Sequence, residues 1–172
     1  MPPPIMAAAA FGIAMRPVTE ADLLFLASLY ASTRAEEVAA TGWPPEMQRA
    51  FLDQQHRAQH QHYRSAYPDA EWLIVEKDSA PLGRICLAER DSELLLIDIS
   101  LVPEQRGAGL GGALLADLMA LAAAKDKRIG LHVERSNRAA ELYRRLGFAI
   151  VEDLGVYLRM EWSPGASPSA PQ

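Results

Sequence analysis

The chain has 172 residues, 49% of them hydrophobic and 23% charged, with a net charge of −5. These proportions suit one globular domain with a real core, and the acidic balance argues against a protein that works by neutralising nucleic-acid phosphates. Cys86 is the only cysteine, which excludes an internal disulfide and fits a reducing compartment.

The start, "MPPPIMAAAA", has no lysine or arginine ahead of its apolar patch, and the patch is too short to cross a bilayer. Residues 1–10 are therefore expected to be a disordered tail on a cytoplasmic protein with no membrane partner. Residues 11–16 read as a first strand. "TEADLLFLASLYAS" reads as a helix: Thr19 can cap it, Asp22 suits the helix dipole, and Leu23, Leu26, Leu29 and Tyr30 form the apolar face. "PPEMQRAFLDQQHRAQHQHYRSAY" starts on prolines and continues as a long polar helix. Its thin stripe of Met47, Phe51, Leu52 and Tyr63 places it on the surface or along a cleft.

The pattern then changes to period two. "EWLIVEK" and "LGRICLAE" predict a hairpin, and "ELLLIDISLV" a strand buried on both faces. "GGALLADLMALAAAK" is a helix apolar on most sides, and "RIGLHVE" a further strand. "NRAAELYRRLG" is a helix that stops at Gly147, and "GFAIVED" and "VYLRMEW" close the sheet. The order β-α-α-β-β-β-α-β-α-β-β describes one α/β (α+β) domain over residues 11–162. Residues 163–172, rich in proline, serine and alanine, form a second expected disordered tail.

The candidate site begins at "VPEQRGAGLGGALL". A helix N-terminus leaves about four backbone N–H groups unpaired and carries partial positive charge. Glycines there let the backbone press against an anion, so the amides of Gly107, Ala108, Gly109, Leu110, Gly111 and Gly112 predict a phosphate or pyrophosphate seat. Gly107, Gly109 and Gly112 also fit the dinucleotide fingerprint G-x-G-x-x-G, with Glu134 as its acid. Against that, Pro103 to Arg106 separate the strand from the first glycine, and the unit starts too late in the chain for a second half.

The stretch "ISLVPEQRGAGLGGALL" resembles motif A of the GNAT superfamily of N-acetyltransferases, through Arg106, Gly109 and Gly111. "HVERSNRAAELYRRLGF" resembles motif B at a compatible distance, through Asn137, the Leu142–Tyr143 pair and Gly147–Phe148. The resemblance covers about residues 11–162. It implies a mixed, mostly antiparallel sheet of about seven strands flanked by about four helices. It also implies acetyl-CoA as co-substrate, a primary amine on a small molecule or peptide as acceptor, and no metal. A homodimer is compatible with it. A domain that binds CoA without turnover is the alternative.

Each role in the reaction falls, by the same resemblance, on a named residue. Arg106 adds positive charge to the pyrophosphate seat. The strand end Ile99–Ser100–Leu101 bulges away from its neighbour, offers an amide near Leu101 to the acetyl oxygen and pairs with the pantetheine arm. Asn137 contacts that arm. Tyr143 protonates the leaving thiolate, because a phenol of pKa about 10 stays protonated at neutral pH. Asp98, a lone acid in "LLIDISL", is the candidate base, with Glu134 or water behind it. His56 and His60 have an i, i+4 spacing but no third ligand motif, and Cys86 reads as a buried strand residue. Arg34, Glu36, Glu37 and Trp43 lie where the acceptor would be read.

Overall fold

The computed structural model of the chain describes residue 3 and residues 5–165. One sheet holds seven strands: β1 (Ile13–Pro17), β2 (Glu71–Lys77), β3 (Ala80–Glu89), β4 (Glu93–Leu101), β5 (Arg128–Glu134), β6 (Ala149–Asp153) and β7 (Tyr157–Trp162). Their spatial order is β1-β2-β3-β4-β5-β7-β6. Only the β4–β5 pair is parallel; the others are antiparallel. The helices are α1 (Leu23–Thr33), α2 (Ala35–Ala39), α3 (Pro45–Ala66), α4 (Leu110–Ala124) and α5 (Ala139–Arg145). The short α2, in the link after α1, has no counterpart in the sequence-based order. Five residues with two adjacent acids carry too weak a periodicity to announce a helix.

Local chemistry explains the element ends. At the start of α1, the Asp22 carboxylate accepts the Thr19 N–H at 2.8 Å and its hydroxyl at 2.9 Å. Arg16, on β1, closes the same carboxylate at 2.7 and 2.8 Å, which fastens helix to strand. At the end of α5, Gly147 takes φ +91° and the Phe148 N–H reaches back to the Tyr143 carbonyl at 3.0 Å. Only a residue without a Cβ enters that left-handed conformation freely.

Alternation along the strands gives the sheet two unlike faces. Ile85, Leu87, Leu94 and Leu96 join the core built by Leu110, Leu114, Leu115 and Leu118 of α4 and by Ala140 and Tyr143 of α5. The opposite face carries Trp72, Arg84, Cys86 and Asp98 beneath α1 and α3. No side chain of α3 is buried, as its thin apolar stripe implied.

The N-terminal segment departs from expectation. Its residues 5–10 are not a tail without fixed structure: the Asp117 carboxylate, 5% exposed on α4, accepts the N–H groups of Met6 (3.0 Å), Ala7 (2.8 Å) and Ala8 (2.9 Å). The segment turns as a 3-10 helix, Ala8–Phe11, with Ala8 fully buried. A carboxylate in an apolar helix needs donors, and these three backbone amides supply them. Residues 166–172 of the second expected tail lie outside the described residues.

Candidate active site

β4 and β5 pair only from Glu93–Arg128 to Leu96–Leu131. Beyond that point β4 runs on beside β3, with a register shift that leaves Ile97 as an extra residue between Leu96 and Asp98. The bulge therefore sits two residues before the expected Ile99–Leu101 segment, at the place where the parallel pairing stops. A bulge adds local twist, which turns the end of β4 away from β5 and opens a wedge.

Hydrogen-bond directions along that strand end follow from one observed bond. The Val102 N–H donates to the Leu82 carbonyl of β3 at 2.8 Å. In an antiparallel ladder, polar groups of successive residues point to opposite sides. Ile99 and Leu101 hence direct their N–H groups into the wedge. The Leu101 carbonyl on that side is already taken by Arg106 Nε at 2.8 Å. Gly83 makes the close β3–β4 approach possible, since a Cβ there would stand 2.7 Å from Leu101 Cδ2.

The wedge opens onto the glycine bend. Gly107 (φ +74°) and Gly109 (φ +90°) both occupy the left-handed region, and α4 starts immediately afterwards. The first helical bond runs from the Ala113 N–H to the Gly109 carbonyl at 3.0 Å. No protein acceptor among the described residues meets the N–H groups of residues 107–112, and no side chain caps the helix. A Cβ added at Gly107 or Gly112 would meet nothing within 4 Å. An oxyanion close to the backbone thus finds room, six donors and the positive end of a 15-residue helix.

Tyr143 lies on α5, which packs close to the first turn of α4 through Leu142 and Gly111. It is 6% exposed, rests against Phe148 with ring centres 5.5 Å apart, and its hydroxyl has no protein partner among the described residues. Burial and then the charge of Asp98 push its pKa up, so the phenol stays protonated. The Asn137 side-chain oxygen accepts the Ala139 N–H at 2.9 Å and shapes the start of α5.

On the other face, Asp98 pairs with Arg84 of β3 at 2.9 Å and lies 3.2 Å from the Ser100 hydroxyl. The Arg84 guanidinium also donates to Gln59 Oε1 of α3 at 3.3 Å and lies 5.9 Å from the Trp72 ring centre. Tyr63, His60 and His56 of α3 extend this aromatic wall to Tyr30 of α1. Burial pushes the Tyr63 phenol up to about 12 and both imidazoles down. Cys86 is fully buried and its thiol is pushed up to about 12, chiefly by burial, which removes it as a nucleophile. Glu134 is held by Arg34 at 3.5 Å, and Arg34 also pairs with Glu37 at 2.7 Å.

Arg84, Gln59 and Trp72 are absent from the residues singled out by sequence, and Tyr63 entered only as part of the thin stripe of α3. One signal was available for Arg84: a lone cation in "LGRICLAE" matching the lone acid in "LLIDISL". Buried charges occur in pairs, and adjacent strands bring such a pair together. Register, which decides that Arg84 stands opposite Ser100, comes only from the folded sheet.

A model of the acetyltransferase (GNAT) family matches residues 28–148. Among solved structures, the PaiA N-acetyltransferase of Thermoplasma acidophilum in complex with coenzyme A superposes with TM-score 0.66 at 20% identity, over 88% of this chain and 98% of its own. An acetyltransferase from Thermus thermophilus gives 0.64 at 18% identity, over 88% and 96%. A GNAT family acetyltransferase from Elizabethkingia anophelis with acetyl-CoA bound gives 0.57 at 16%, over 88% and 98%. No curated protein matches the sequence. The chain shares its fold with these structures, and it belongs to the GNAT family of acetyltransferases.

Proposed function

We propose that the protein transfers an acetyl group from acetyl-CoA to a primary amine. The observation that carries this reading is the run of unpaired amides at residues 107–112, set at the mouth of the β4–β5 wedge. A diphosphate fits those donors, and an extended amide-bearing arm fits the free edge of Ile99 and Leu101 as an added strand. Acetyl-CoA supplies the activated acyl carbon, as a thioester. The Leu101 N–H polarises the carbonyl, a kind of donor typically worth on the order of 10²–10³ in rate. Tyr143 delivers its proton to the departing sulfur as the C–S bond breaks and the new C–N bond forms. Asp98 holds Arg84 in this scheme, and the proton leaving the amine passes to water.

Thermal shift with acetyl-CoA, CoA and NAD tests the reading. A ligand at 100 times its Kd adds about 2.7 kcal/mol, a rise of roughly 5–11 °C for a domain of this size. A rise with both CoA compounds and none with NAD is expected. A rise with NAD alone would return the glycine bend to the dinucleotide reading. Binding of acetyl-CoA without turnover of any amine would favour a CoA-binding domain with a sensory role.

A further inference from the structure

The groove between α3 and the sheet has more hydrogen-bond donors than the protein uses. Arg84 is 3% exposed, yet only its Nε and Nη2 have protein acceptors among the described residues; Nη1 has none. The Tyr63 hydroxyl is likewise without a partner, and His56 Nε2 is buried with none. Nη1 is not among the fully buried polar atoms that lack a partner, so it keeps contact with solvent, where a ligand or water can answer it. Asp98, the carboxylate beside Arg84, is committed to Arg84 and Ser100. Asp53, the nearest other acid acting on His56, is exposed on α3.

This pattern bears on the amine acceptor, and it rests on the acetyltransferase reading above. We propose that the acceptor carries a carboxylate beside its primary amine, received by the free edge of the Arg84 guanidinium, with an apolar or aromatic side chain against Trp72 and Tyr63. A guanidinium presents paired donors in the geometry of a carboxylate. Arg84 stands opposite Ser100, next to the Leu101 amide at the wedge, so an amine held through a neighbouring carboxylate lies near the reacting carbonyl. The same groove opposes a polyamine. A polycation needs several free carboxylates and would meet Arg84 and Arg64, both of which bear on His60.

The test compares each amino acid with its decarboxylated counterpart on the full-length protein with acetyl-CoA: phenylalanine against 2-phenylethylamine, tryptophan against tryptamine, and spermidine beside them. The carboxylate should raise kcat/KM by on the order of 10- to 100-fold, the range of a hydrogen-bonded charge. Arg84→Lys, which keeps the charge but loses the fork, should shrink that ratio mainly through KM. The wild-type ratio stands as the test even if this variant folds poorly. A ratio near one, a preference for spermidine, or no acetylation of the amino acids by a protein that binds acetyl-CoA would overturn the assignment. Failure to bind acetyl-CoA would instead overturn the reading beneath it.

Discussion

In the proposed reaction Tyr143 concentrates the chemistry at the scale of one side chain. Its hydroxyl is buried and unpartnered, and the groups around it favour the neutral phenol. Tyr143→Phe removes one oxygen and no protein hydrogen bond. We expect kcat to fall by about 10²-fold, the lower range for a lost general acid. The Kd for acetyl-CoA and the Tm should stay near wild type, because Phe fills the same space beside Phe148. Steady-state rates and a titration with acetyl-CoA separate the two. An unchanged kcat would remove Tyr143 from the proton path. The motif "ELYRRLGF" made this residue legible. Arg84 was not, because a cation in a strand becomes interpretable only once its cross-strand neighbours are known.

Among the elements, the junction of β4 and α4 is the one on which the proposed function rests. Its two kinds of glycine make different demands. Gly109 has φ +90°, which costs an L residue roughly 1–2 kcal/mol, and Gly109→Ala should lower the Tm by about 2–8 °C and weaken acetyl-CoA binding. Gly112 lies in the first helical turn with open space where a Cβ would stand. Gly112→Ala should hold or raise the Tm by about 1–4 °C, since Gly in a helix costs roughly 0.5–1 kcal/mol relative to Ala. Thermal melts of the two variants decide it; equal losses would mean that the bend is not held by backbone conformation. The helix and its glycines were readable from composition. The resemblance implied a bulge at Ile99–Leu101, but its place at Ile97 was not readable, because a register shift leaves no mark in a strand whose residues are nearly all apolar.

Across the whole molecule, Asp117 ties the N-terminal segment to the central helix. Asp117→Asn presents an NH₂ where amides now donate, which should cost about 2–4 kcal/mol and roughly 4–16 °C in Tm. Hydrogen exchange should quicken at residues 6–8 and stay slow in β4; uniform quickening would mean that the segment is integral to the global unfolding unit. The pH dependence of stability follows from shifts elsewhere. His56 and His60 are pushed down, chiefly by burial, so their contribution is complete above about pH 6.5 and is lost as pH falls through their lowered values. The Asp22 carboxyl, held by the Arg16 guanidinium, sits well below the usual carboxylate range. Its contribution is present above about pH 4 and fades below. A Tm level near pH 7–8, falling below about pH 6 and again below pH 4, is expected; a Tm that rises from pH 7 to 5 would contradict it.

The resemblance of its motif pointed to Tyr143. The sequence by itself predicted the seven strands, the four longer helices and a seat for an anion at residues 107–112. These depend on local rules: side-chain period, glycine at a helix mouth, a glycine stop. Only the tertiary structure decided that the first ten residues include a docked segment, that β4 leaves β5 after Leu96, and that Asp98 answers Arg84. Each of these joins residues far apart in the chain. Asp117 lies 109 residues from Ala8, and Arg84 lies 14 from Asp98 across a hairpin. Pairing of that kind is a property of register and packing, and no local pattern encodes it.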